Sequence, residues 1–392
     1  MQTSQISLRR KIVSLSINSF FQGTASSFTF FLLQVYAIEN LGFSSFEIGL
    51  AISLGGFSSA ITQPVWGRIV DRTNRRILVF LGFILSGLSV LAAFNSTTDL
   101  EYYLANSALN AFLGLANTSW LSMLGDLTLI GERGRVSGVA NAFTTLGTGL
   151  FSPIAGAIMD ICGYNLASIV GLSQFILAAT TIYIVPEPER TLQEEPCRAE
   201  TDYVEGSFRP FLVASILWSL IWSVAWPLFS VAQVKLYKLS KAEIGFIGSV
   251  TNATRLVLQP IWGYAADRIG RKPLLILSPI FASAIPLSYA IGSNLWHIII
   301  GAAIGTIGFS MYFTASPTYL LDSSPSWKRG SMVSTFNAMV SLTNSVAPLI
   351  GGGIGEALGI RQSMFIFGIM RVVSSVLFVK IPETLRRNSF PK

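Results

Sequence analysis

The chain has 392 residues, of which 51% are hydrophobic and 12% charged, with 34 glycines, a formal net charge of +7 and a mean hydropathy of +0.57. Soluble domains carry about 25% charged residues, so this composition excludes an ordinary water-soluble fold and points to a bilayer protein. One histidine, two cysteines without metal spacing and no glycine-rich phosphate loop ending in Lys-Ser/Thr point away from an enzyme, a metal centre or an ATP-driven machine, so no cofactor is expected.

Apolar runs of about 20 residues, the length that crosses a bilayer, lie in chain order at 12–37, 46–66, 77–94, 100–125, 135–160, 164–185, 209–234, 242–262, 274–292, 295–321, 331–356 and 360–381. They predict an all-α membrane protein of about twelve transmembrane helices. The first run lacks a small-residue cleavage site after it and reads as a retained helix. Residues 186–208, with Pro186, Pro188, Pro196 and a cluster of acids, read as a cytoplasmic linker between an N-terminal six-helix bundle (1–185) and a C-terminal one (209–392). An even number of spans puts both termini on one side. The loop lysines and arginines, apart from Lys235, Lys238, Lys241 and Arg361, gather on that side, which makes it cytoplasmic in a plasma membrane. The positive charge is thus a topology signal, and no nucleic-acid partner is expected. Cys162 at the outer end of the fifth span and Cys197 in the linker fall on opposite sides, so no intramolecular disulfide is expected.

Residues 44–76 recur at 240–272 with a constant offset of 196, half the chain length. Ser44, Glu47, Ile48, Gly49, Ser53, Gln63, Pro64, Trp66, Gly67, Asp71, Arg72 and Arg75 return as Ser240, Glu243, Ile244, Gly245, Ser249, Gln259, Pro260, Trp262, Gly263, Asp267, Arg268 and Arg271. Duplicated apolar halves are the mark of a transporter that rocks around a central site. The loops from Gly67 to Arg76 and from Gly263 to Lys272 resemble the G-x-x-x-D-R-x-G-R-R/K signature of the major facilitator superfamily, between spans 2 and 3 and between spans 8 and 9. The resemblance covers nearly the whole chain.

It implies a cytoplasmic latch formed by Gly67, Asp71, Arg72, Arg75, Asp126, Arg133, Gly263, Asp267, Arg268, Arg271 and Arg329. Asp71 would reach the start of span 11 near Gly330 and Ser331, and Asp267 the start of span 5 near Gly134 and Arg135, favouring an outward-open state. Where the second copy has Gly270 the first has Asn74, a residue that also tolerates left-handed backbone. A P-x-x-G at Pro153–Gly156 recurs at Pro348–Gly351 and resembles the family's antiporter motif, although close helix packing at small residues accounts for it equally well.

Arg255, midway along span 8, is the sharpest site candidate, because a charge at that depth must face a polar cavity or a partner. Either it binds an anionic substrate group, as in carboxylate transporters of the superfamily, or it is a structural arginine bonded to carbonyls. Arg371 in span 12 meets the same alternatives, with the structural one favoured because that span lies outside the family's cavity. By the same resemblance spans 1, 4, 7 and 10 line the cavity. Their polar and aromatic stripes supply Asn18, Gln22, Asn110, Asn117, Trp222 and Tyr312, while Asn252 and Asn337 complete the expected set. His297 reads as an interfacial residue. No Asp or Glu lies deep in any span, so the buried carboxylate usual in proton coupling is missing.

The expected function is a secondary active transporter of a small organic solute, with an organic anion the first choice, acting as a monomer in the lipid bilayer. A multidrug/proton exporter is the alternative. A receptor or lipid-handling protein on the same scaffold is the alternative from another class.

Overall fold

The computed structural model describes residues 2–128, 133–186, 204, 206–325 and 328–385; for 2–9, 71, 133–135, 329 and 330 it describes the backbone alone. The described residues form fourteen α-helices and no strand. These are α1 (Gln2–Ser26), α2 (Phe31–Asn40), α3 (Ser45–Arg72), α4 (Arg75–Phe94), α5 (Asp99–Leu127), α6 (Arg133–Thr181), α7 (Phe208–Ser223), α8 (Trp226–Val231), α9 (Lys241–Ile269), α10 (Arg271–Ala282), α11 (Ala284–Ile291), α12 (Leu295–Asp322), α13 (Arg329–Leu358) and α14 (Ile360–Val379).

All twelve expected spans fall on helix. The first is broken into α1 and α2, the seventh into α7 and α8, and the ninth into α10 and α11, while the fifth and sixth are continuous in α6 except at Gly163, whose φ is +75°. The repeat explains that point: Gly359, 196 residues on, has φ +85° between α13 and α14. Only glycine takes this backbone at no cost, so both halves use it to reverse the chain between their last two spans. Among the described residues seven helical stretches are by themselves apolar and long enough to cross a membrane. Helices α5, α9 and α13 are not among them, since residues such as Asn106, Asn110, Thr251 and Asn337 dilute their hydropathy, and the break between α1 and α2 leaves neither long enough by itself among the described side chains.

The repeated Ser-x-x-Glu pair starts a helix twice. Ser44 Oγ accepts from the Glu47 N–H at 3.3 Å while the Glu47 carboxylate accepts from the Ser44 N–H at 2.7 Å. Ser240 and Glu243 repeat the exchange at 3.2 and 2.8 Å. Each pair satisfies two N–H groups that have no partner inside the helix, which matters most where water is scarce.

The helices pack as two compact units, Met1–Leu192 with Gln233–Ala253, and Gln193–Ala232 with Thr254–Lys392. In the first, α1 lies along α6 at backbone contact: a Cβ at Gly23 would stand 2.1 Å from Thr144 O, and one at Gly147 would stand 2.2 Å from Phe20 O. Helix α4 packs on α5 and α6. In the second, α13 packs on α7 and α8, and α10 on α12 and α14. Its aromatic core includes Phe211, Trp218, Tyr312, Tyr319, Phe336 and Phe378. Both glycines of the repeated P-x-x-G are contact points, since a Cβ at Gly156 would lie 2.0 Å from Lys241 O and one at Gly351 would lie 1.7 Å from Val224 O.

Candidate functional site

Helix α9 carries Arg255 half-buried, its guanidinium carbon 5.1 Å from the ring centroid of Phe313 on α12. Among the described residues no group accepts a hydrogen bond or an ion pair from it, and its Nε is shut off from solvent without a partner. Phe313 is 41% exposed. Trp222 stands nearly perpendicular to it, at 5.3 Å and 87°. Trp222 in turn meets Phe309 at 4.3 Å, Trp226 at 5.9 Å and Trp218 at 6.2 Å, and its indole N–H has no acceptor among the described residues. The four-residue spacing puts Trp218 and Trp222 on one face of α7, and Trp226 continues the row edge-to-face across the break into α8. A guanidinium over an aromatic face gains about 0.5–2 kcal/mol and keeps its N–H edge free for a planar, two-pronged acceptor.

The other expected site residues are dispersed. Asn18 is fully buried and donates to Ala178 O at 2.8 Å and Thr181 Oγ1 at 3.0 Å, and its carbonyl accepts from Gln22 at 2.6 Å. That network ties α1 to α6. Asn110 donates to Asn106 O at 2.8 Å and packs over Gly55 of α3. Asn252 donates to Gly248 O at 2.9 Å. Tyr312 is 7% exposed, within the aromatic core, whereas Asn117 and Asn337 are exposed. Of the expected set, Arg255, Trp222 and Tyr312 join one cluster among the described residues, Tyr312 meeting Phe313 at 6.0 Å as well as Trp218.

Arg371 has a different environment. Fully buried on α14, it donates to Ala282 O at 2.9 Å and Trp222 O at 2.8 Å. Both carbonyls sit just before a helix break. The helical donor for Ala282 O would be the N–H of residue 286, which is a proline and has none, so Arg371 supplies the missing hydrogen.

In the latch loops, Arg75 pairs with Asp126 and donates to Ser122 O at 3.0 Å. The second half repeats the pair at the same offset: Arg271 Nε lies 3.2 Å from Asp322, and Arg271 Nη2 lies 3.5 Å from Asp267. Arg268 lies 4.4 Å over the Tyr264 ring, and Gly67 and Gly263 leave their helix surfaces open, with nothing nearer than 4.0 Å to a Cβ there. The side chains of Asp71, Arg133, Arg135 and Arg329 lie outside the described residues, as do the surroundings of Gly134 and Gly330.

The expected equivalence of Asn74 and Gly270 fails at the backbone. Gly270 has φ +102°, but Asn74 has φ −65° and serves as the N-cap of α4, accepting from the Arg76 N–H at 2.9 Å. The N–H groups that open α10 are taken instead by Glu383, which accepts from Arg271 N at 3.1 Å and Lys272 N at 3.0 Å. Sequence reasoning missed Asp322 and Glu383, and the 196-residue offset from Asp126 already pointed to the former.

It also missed a charged cluster around Lys241. Its ammonium lies 3.0 Å from Glu39 and 3.5 Å from Asp160. Asp160 caps α9 through Lys241 N at 3.1 Å and Ala242 N at 2.9 Å, and Tyr164 donates to Glu39 at 2.5 Å.

Duplicated halves of broken, apolar helices mark a multi-pass membrane transporter. The profile of the Major Facilitator Superfamily matches residues 15–232 and again 211–392, and the chain belongs to that family. It is 24% identical to the multidrug resistance protein MdtG of Escherichia coli, over 99% of this chain and 97% of that one. Its fold is similar to a solved nucleoside transporter, NupG (TM-score 0.75, 13% identity, 94% of this chain and 98% of that one). It is likewise similar to a bacterial homologue of the human lysosomal transporter Spinster (TM-score 0.73, 14% identity, 94% and 95%).

Proposed function

We propose that this transporter carries a small organic anion by alternating access, with Arg255 as the fixed cation that the substrate neutralises. The observation that carries this reading is the unpaired guanidinium on the Phe313–Trp222 wall, in spans without a deep carboxylate. A half-buried charge whose Nε is closed off without an acceptor is costly; an anionic ligand removes that cost and lowers the barrier to rocking. Exchange of one anion for another, or proton co-transport on the ligand itself, then needs no dedicated proton carrier. The moving bodies are the halves 1–185 and 209–392, the two basic loops latch them, and both termini lie in the cytoplasm of a plasma membrane.

The test is a melting scan of purified protein against carboxylates, phosphorylated compounds, sugars and lipophilic cations, since a ligand that binds the folded state raises the midpoint. One anion class is expected to stabilise wild type and to lose its effect in Arg255→Gln. The likeness to MdtG favours a second reading, export of structurally varied drugs. Lipophilic cations or neutral drugs that stabilise wild type and Arg255→Gln equally would put that reading first and make Arg255 structural.

A further inference from the structure

Resting on the anion reading above, we infer that the site selects aromatic anions: ligands in which a carboxylate is attached to a flat π-system. A carboxylate bound two-pronged by a guanidinium lies in the guanidinium plane. Because Arg255 is seated over the Phe313 ring, whatever the carboxylate carries is led out along an aromatic surface. That surface is a corner. Phe313 makes one side and is 41% exposed, and Trp222 makes the other at 87° to it, with ring centroids 5.3 Å apart.

A flat ring in such a corner stacks, offset, on one side and meets the other edge-to-face, the two arrangements that aromatic pairs prefer. A saturated ring of the same size buries similar area and gains neither. The wall is also braced: Phe309 at 4.3 Å and Trp226 at 5.9 Å hold Trp222 in place, so little side-chain entropy is lost when a ligand docks. All of these side chains belong to one compact unit, Gln193–Ala232 with Thr254–Lys392, so the corner is preformed within it.

The experiment compares benzoate, cyclohexanecarboxylate and benzamide on the full-length protein in detergent. Binding is read by melting midpoint and by tryptophan fluorescence, for wild type, Arg255→Gln, Phe313→Leu and Phe313→Tyr. The first two ligands share charge and size and differ in aromaticity; the third keeps the ring and drops the charge. The expected result is benzoate bound about 3- to 10-fold more tightly than cyclohexanecarboxylate by wild type and Phe313→Tyr. That preference should collapse in Phe313→Leu, and both acids should be lost in Arg255→Gln.

Ligand-free melting and gel-filtration profiles identify any variant that has misfolded, and Phe313→Tyr keeps the comparison valid if Phe313→Leu has. Equal binding of the two acids, with both lost in Arg255→Gln, overturns the aromatic inference and leaves the anion reading standing. Binding of benzamide as tight as benzoate, unaffected by Arg255→Gln, overturns both, as does binding of none of the three.

Discussion

Arg371 should prove to be a structural donor whose loss is felt as stability, and proline chemistry gives the means of showing it. In Arg371→Met the side-chain volume is roughly kept, while the bonds at 2.9 Å to Ala282 O and 2.8 Å to Trp222 O vanish, along with contacts over the Phe309 and Phe229 rings at 5.6 and 5.9 Å. A hydrogen bond from a charged donor contributes about 1.5–3 kcal/mol net, so the two together contribute about 3–6 kcal/mol. Relief from burying a charge offsets part of this, leaving a net loss of about 2–4 kcal/mol. The melting midpoint should fall by about 4–16 °C for a cooperative unit of this size. Pro286→Ala should then act as a partial suppressor, because residue 286 regains the N–H that a helix would offer Ala282 O, and it should have little effect alone. The assay is thermal unfolding of the four proteins in one detergent. Arg371→Met melting at or above wild type, or a double variant no better than Arg371→Met, would refute the reasoning.

Gly351→Leu should prevent recovery of monodisperse protein, because its Cβ would stand 1.7 Å from Val224 O; Gly138→Ala, with nothing within 4 Å, should melt like wild type. Asp160→Ala should lower stability by about 1 kcal/mol through loss of the cap on α9, measured by thermal unfolding, while Lys241→Met should cost less than about 1 kcal/mol, its ion pairs being part-exposed. A double-mutant cycle on Arg271→Leu and Asp322→Asn should return a coupling near 1 kcal/mol. Additive single effects would show that the 3.2 Å pair contributes nothing.

Much of this protein is legible in its sequence. Hydropathy settled the class, since runs of apolar residues have no stable place in water. The 196-residue offset located the repeated helix starts and the latch loops, whereas the Arg271–Asp322 pair was missed although the same offset from Asp126 pointed to it. Arg255 was legible because an isolated charge inside an apolar run demands an explanation.

Other features depended on neighbours remote in sequence. Asn18 and Asn110 have the same side chain, and periodicity put both on candidate cavity faces. Only packing gives them different surroundings: Asn18 donates to residues 160 and 163 positions away, while Asn110 packs over a glycine of another helix and lines a cavity with Gln34 and Asn106. Asn74 and Gly270 occupy matching positions in the repeat but take different backbones, because one half opens its helix with an asparagine cap and the other with Glu383 from the far end of the chain.

Arg255 and Arg371 were two charges in two apolar spans, with the same alternatives for each. Sequence shows that each charge lies inside an apolar run and so carries a cost, because a span of that length sits in the bilayer. Tertiary structure alone decides what offsets the cost, because the partners come from other helices: two carbonyls at helix breaks for Arg371, and for Arg255 an aromatic face that leaves its hydrogen-bonding edge unpaired.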